Sequence, residues 1–155
     1  MKNKLLVLLS LIMIVFSTSA FAKKVEKMPV NRDGLYYEHF STNIANGQYE
    51  SYHDNGQLQG IKTYKDGKKD GLYEKYYDNG KLEERVTYKD RKLDGLWETY
   101  YKNGQLWGIK TYKDGKLEGL YVLYNEDGTL ELKCFYVNGK QYECEYASES
   151  KGILE

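Results

Sequence analysis

Few residues in this chain are of a type that does chemistry: two cysteines, two histidines and a recurring Asp/Asn-Gly triplet. Cys134 and Cys144 stand ten apart and flank Asn138-Gly139. Dithiol redox chemistry uses a closer pair such as Cys-x-x-Cys, so a structural disulfide is the expectation, stapling the last hairpin. A two-residue turn at Asn138-Gly139 pairs positions that sum to 277 and sets Cys134 against Glu143. A three-residue loop or a bulge would bring the two cysteines face to face. His39 and His53 have no nucleophile setting and no acid cluster beside them, as catalysis or metal binding would need. Asp54-Asn55-Gly56, Asp78-Asn79-Gly80 and Glu126-Asp127-Gly128 look like pieces of calcium loops. They lack the spacing and closing Glu of an EF-hand, and turn chemistry accounts for them. No catalytic residue, metal ligand or cofactor site is assigned, and the chain does not read as an enzyme.

The elements that position these residues follow from a period of 24. Gly47, Gly71, Gly95 and Gly119 keep it, as do Gly56, Gly80, Gly104 and Gly128. So do Tyr52, Tyr76, Tyr100 and Tyr124; Tyr64, Tyr88, Tyr112 and Tyr136; and Leu58, Leu82, Leu106 and Leu130. A period of this length marks an array of one small unit stacked on itself, an architecture that presents extended binding surfaces. In the copy from Gly71, Leu72–Tyr77 is rich in β-forming aromatics, and Asp78-Asn79-Gly80 turns the chain. A second strand follows with Leu82, Glu84, Val86 and Tyr88 on one face. Lys65-Asp66-Gly67-Lys68 and Lys113-Asp114-Gly115-Lys116 are Asp-Gly hairpin turns.

The predicted fold is all-β: an elongated, single-layer antiparallel meander of tandem 24-residue hairpin repeats, roughly ten strands in one sheet. Residues 34–146 form the repeat domain, with a partial repeat whose second strand is Tyr36–Phe40 and four repeats from 47. Residues 23–33 read as a linker and 147–155 as a C-terminal tail. Arg91 stands where sister copies have Gly67, Gly115 and Gly139. Either its turn changes type or Arg91 makes a contact of its own; the simpler expectation is a change of turn type. The columns Lys65/Lys89/Lys113 and Glu50/Glu74/Glu98 read as solvated edges that discourage edge-to-edge association.

Residues 1–22 read as a secretory signal. Lys2 and Lys4 precede an apolar run, Leu5–Phe16, and Ala20-Phe21-Ala22 has the small-x-small form of a cleavage site after Ala22. The run is shorter than the about 20 residues that span a bilayer, so stable membrane insertion is not expected. The remainder is expected to be exported, periplasmic or secreted. The chain has 23 basic and 23 acidic residues. Two lysines leave with the signal, so 21 face 23, a net of −2. Nucleic-acid binding, which needs a basic surplus, is not supported.

The unit Gly95-Leu96-Trp97-Glu98-Thr99-Tyr100-Tyr101-Lys102-Asn103-Gly104-Gln105-Leu106, followed by Tyr112-Lys113-Asp114-Gly115-Lys116-Leu117-Glu118-Gly119, resembles the bacterial variant of the MORN repeat. The resemblance covers about residues 34–146. It implies a repetitive antiparallel sheet used for protein–protein or membrane-associated interactions, and some relatives carry the label of a toxin–antitoxin system antitoxin component. Tyr73, Trp97, Tyr101, Trp107 and Tyr121 form the candidate binding surface, since exposed rings stack on sugars or anchor a partner's side chains. Packing along the sheet is the competing use of each ring. The reading is an exported non-enzymatic scaffold, antitoxin- or immunity-like, whose partner is an envelope, host or toxin protein. The alternative is a glycan or cell-wall binding module. Exposed aromatics beside Asp or Asn would favour the glycan; an apolar groove or free strand edge would favour a protein.

Overall fold

A computed structural model describes residues 28–39 and 41–147. The strands run β1 (Val30–Arg32), β2 (Leu35–Tyr37), β3 (Gly47–Tyr52), β4 (Leu58–Lys65), β5 (Lys68–Tyr76) and β6 (Leu82–Lys89). They continue as β7 (Lys92–Tyr100), β8 (Leu106–Lys113), β9 (Lys116–Tyr124), β10 (Leu130–Val137) and β11 (Lys140–Tyr146). β3 to β11 form one nine-stranded antiparallel sheet in strict sequence order, the predicted meander. The signal segment and its cleavage point, residues 23–27, Phe40 and the tail from 148 lie outside the described residues.

Two kinds of turn alternate. Asp66-Gly67, Asp114-Gly115 and Asn138-Gly139 have positive φ at both residues, the type I′ geometry that matches the twist of the flanking strands. The Asp-Asn-Gly turns are longer: Gly80 N–H bonds the Tyr77 carbonyl at 2.9 Å and Tyr77 N–H bonds Lys81 at 2.8 Å. Their asparagines tie the repeats together. Asn55, Asn79 and Asn103 each accept a backbone N–H two residues on and donate Nδ2 to a carbonyl one repeat further, at Asp78, Lys102 and Glu126.

The N-terminal part departs from expectation. Val30–Arg32, read as linker, is a strand that pairs with β2 through an Asp33-Gly34 turn. The partial repeat does not extend the large sheet. β2 pairs with β1 and docks over the Asp66-Gly67 turn instead: Tyr36 N–H donates to the Gly67 carbonyl at 2.8 Å, and Ala45 N–H donates to the Tyr36 carbonyl at 2.9 Å.

Arg91 keeps the turn type of its sisters, against the simpler expectation. Asp90 and Arg91 have φ 47° and 69°, and Arg91 N–H bonds the Lys69 carbonyl as Gly115 bonds Leu93. Its guanidinium donates to the Gly34 carbonyl of the β1–β2 turn. A left-handed non-glycine costs about 1 kcal/mol, and this contact across 57 positions offsets it. Arg91→Gly is therefore expected to leave overall stability nearly unchanged. It should lower hydrogen-exchange protection in Val30–Tyr37 roughly fivefold; unchanged protection there would show that the contact does not hold the hairpin.

The last hairpin is slipped by one residue. Lys62, Val86 and Lys110 face Tyr73, Trp97 and Tyr121, each eleven positions on, whereas Cys134 faces Cys144, ten on. Upstream, Gly71, Gly95 and Gly119 take φ of 109°, 117° and 95° within the irregularity that sets the register. Position 143 is Glu, which does not adopt that conformation cheaply. A one-residue bulge at Tyr142 replaces it, between Phe135↔Glu143 and Tyr136↔Gln141. The turn has two residues and the bulge supplies the offset that sets the cysteines opposite. They are joined in a disulfide with Cα atoms 4.1 Å apart. Replacing both by Ser is expected to cost about 2 kcal/mol, with exchange protection lost in β10–β11 and kept in β4–β8. Uniform loss across the sheet would contradict a local staple.

Candidate functional site

Direct cross-strand partners share a face, so the register assigns every side chain. One face carries the central row Tyr49, Lys62, Tyr73, Val86, Trp97, Lys110, Tyr121, Cys134 and Cys144. Beside it stand the rings of Tyr64, Tyr88, Tyr112 and Tyr136. Tyr49–Tyr64, Tyr73–Tyr88, Trp97–Tyr112 and Tyr121–Tyr136 meet with centroids 5.7, 6.4, 5.8 and 6.2 Å apart. Lysines lie over these rings: Lys62 over Tyr73 at 5.8 Å, Lys69 over Tyr88 at 5.1 Å, and Lys110 over Trp97 at 5.2 Å and Tyr121 at 4.9 Å. Among the described residues only the β1–β2 hairpin lies over this face, at Tyr64, so elsewhere the aromatic ladder and the lysine stems cover one another. Tyr64 and Val86 are buried. Burial raises the Tyr64 phenol to about 12, helped by Tyr36, Tyr49 and Tyr73. Burial also raises the Glu84 carboxyl.

The opposite face carries Glu50, Ile61, Glu74, Arg85, Glu98, Ile109, Val122, Lys133 and Glu145. Here one reading of the glutamate column needs correction. Glu74 is 6% exposed and not a solvated edge. Arg85 Nε donates to its Oε1 at 2.8 Å, and the Tyr76 hydroxyl donates to its Oε2 at 2.7 Å. Arg85 also lies 3.6 Å from Glu98. The sequence signal was present in the columns: Arg85 interrupts Ile61 and Ile109, so it meets acids where isoleucines stand in sister copies. The same face shows an apolar row that pattern reading missed, Leu72, Leu96, Leu120 and Phe135, exposed by 38–50%. The last two are direct partners.

The five predicted binding aromatics fall into two groups. Tyr73, Trp97 and Tyr121 are half-buried in one row of the aromatic face. Tyr101 and Trp107 lie elsewhere, with centroids 6.3 Å apart at the Asp-Asn-Gly end of the sheet. Tyr101 donates its hydroxyl to the Tyr124 carbonyl at 2.9 Å, as Tyr77 does to Tyr100 at 2.7 Å. His53 holds the same place, with Nε2 2.9 Å from the Tyr76 carbonyl; its role is to link repeats. Trp107 is 44% exposed. It is the extra residue of a bulge, because Thr99 faces Gly108 while Tyr100 faces Leu106. In sister copies this bulged position holds Gln59, Glu83 and Glu131.

Among the described residues no group of three or more His, Cys, Asp or Glu is arranged to hold a metal ion, and no helix is long and apolar enough to cross a membrane. The surfaces on offer are thus an aromatic face, an apolar row on the opposite face, an exposed Trp, and the two end strands β3 and β11.

A search of curated proteins finds no significant match to the chain. A family model for the MORN repeat variant matches residues 45–66, 69–90, 93–114 and 117–138, each span holding one antiparallel strand pair and the turn that ends in Gly56, Gly80, Gly104 or Gly128. Repeats of this kind are generally found in protein-binding or membrane-associated proteins. Matched four times in tandem over more than half its length, the chain belongs to the MORN repeat variant family.

Proposed function

We propose that this chain is an exported, non-enzymatic scaffold that binds another protein through its repetitive sheet. The observation that carries the reading is that, among the described residues, the sheet ends openly: β3 and β11 each have a strand neighbour on one side only. Unpaired edges are templates for an added strand. Phe135 on β10 and its direct partner Leu120 on β9, both exposed, supply apolar contact next to the β11 edge. Export rests on Lys2, Lys4, the run Leu5–Phe16 and Ala20-Phe21-Ala22, and a disulfide suits an oxidising compartment. The partner is an envelope, host or toxin protein, and the last of these would make the chain an exported immunity-type protein. Trp107, exposed over Tyr101, favours a second reading, a glycan or cell-wall module in which the ring stacks on a sugar.

The test is a pull-down with the chain from Lys23, run on envelope and secreted proteins and on purified cell-wall polysaccharide. A specific protein band that survives glycan competition is expected. Retention on polysaccharide alone, lost in Trp107→Ala, would overturn the scaffold and establish the glycan module.

A further inference from the structure

Trp107 is this chain's own departure from its repeat. The bulged position holds Gln59, Glu83 and Glu131 in the other copies, all polar, which suits a side chain that a bulge turns outward. Only here is it an indole, and it stays 44% exposed. Its ring lies 6.3 Å from Tyr101, so the two make one aromatic platform at the turn end of β7 and β8.

The surroundings of that platform are acidic. The Tyr101 hydroxyl is tied to Tyr124 O at 2.9 Å, and Asn103 Nδ2 reaches the Glu126 carbonyl at 3.4 Å and its Oε1 at 3.3 Å. These bonds bring the Glu126-Asp127-Gly128 turn alongside. Glu131 holds the same bulged position one repeat on, two strand spacings or about 10 Å away. It makes no ion pair among the described residues. Desolvation raises the Tyr101 phenol, and Glu131, Glu126 and Asp127 add to the rise. The neighbouring cation Lys102 is held by Asp78 at 2.8 Å, and Glu83, one repeat back, is held by Lys75. Among the described residues, Glu131 and Glu126 thus form no ion pair, next to an exposed π-face that attracts a cation.

We infer that Trp107 and Tyr101, with Glu131 and Glu126 beside them, form an anchor for an arginine side chain on an extended segment of a protein partner. The platform would hold the guanidinium plane and the carboxylates its N–H fork. This deepens the scaffold reading and rests on it, by naming the chemistry that the partner must present.

The full-length chain would be titrated against a fluorescein-labelled hexa-arginine peptide by anisotropy, with hexa-glutamate and unlabelled cellohexaose as comparisons. Trp107→Glu installs the residue that Glu83 and Glu131 already show this fold accepts, and it adds a negative charge. Simple charge attraction would then tighten binding. The anchor predicts the opposite, a loss of about fivefold or more, since one exposed cation–π contact is of this order. Glu131→Gln should weaken binding by a similar factor, and added salt should weaken it further. In Trp97→Tyr, which takes the residue Tyr73 and Tyr121 carry in that row, Trp107 fluorescence alone should respond to hexa-arginine. Equal or tighter binding by Trp107→Glu, or a response to cellohexaose in place of hexa-arginine, overturns the anchor. A partner captured equally well by Trp107→Glu and wild type would remove the anchor while leaving the scaffold standing.

Discussion

Arg85→Ile is expected to destabilise the sheet by about 3 kcal/mol, although the substitution copies Ile61 and Ile109 from the same column. The reason is Glu74. Its carboxylate is 6% exposed, and its charge is matched by Arg85 at 2.8 Å with Glu98 across the strand. Removing one partner of a buried pair costs about 3–5 kcal/mol, because the other charge stays behind unpaired. Arg85 itself is 44% exposed, which puts the loss at the low end. Replacing both residues is expected to recover most of it. Glu74→Val with Arg85→Ile borrows Val122 and Ile109, which already pair directly two strands away. Urea unfolding of the two singles and the double would decide. If the double is as unstable as Arg85→Ile alone, the penalty does not come from the stranded carboxylate.

Tyr64→Ala should cost more, about 4 kcal/mol, as large-to-small changes of buried aromatics do. Tyr64 is 3% exposed, the most covered ring of its column, because Tyr49 lies 5.7 Å away on one side and Tyr36 of β2 4.7 Å on the other. The N-terminal hairpin should therefore lose its docking together with global stability. Tyr64→Phe keeps the packing and isolates the titration. A phenol near 10 in the unfolded chain and about 12 in the fold holds its proton more tightly when folded. Its stabilising contribution is complete below pH 10 and disappears as pH rises toward 12. Burial raises Tyr73, Tyr76 and Tyr88 in the same direction, so wild type should lose stability steeply across that window. Tyr64→Phe should match it at pH 7 and lose less between pH 10 and 12. Superimposable alkaline limbs would contradict the assignment.

The period of 24, the strand alternation and the Asp-Gly turns specified the meander before any coordinates, because those signals are local: side-chain alternation, positive φ and turn length act within a few residues. The four repeats from Gly47 map onto β3 to β10, although β5, β7 and β9 begin three residues before Gly71, Gly95 and Gly119. What local signals leave open is which neighbour a residue meets. Arg91 breaks its column and still keeps the turn, since its contact is Gly34, remote in sequence. Glu74 looks like Glu50 in sequence, but Glu50 faces Ser51's neighbour strand at Ile61 alone while Glu74 lies between Ile61 and Arg85. Trp97 and Trp107, ten residues apart and alike as aromatics, separate because a bulge between Leu106 and Gly108 turns one outward. By itself, then, the sequence determined the repeat, its strands and turns, and the proximity of the two cysteines to one hairpin. Only the tertiary structure decided which aromatics are covered, which carboxylate is buried, and where the one-residue slip sets Cys134 opposite Cys144. Those outcomes depend on cross-strand register and on contacts between distant segments, and a single bulge resets both for every residue that follows.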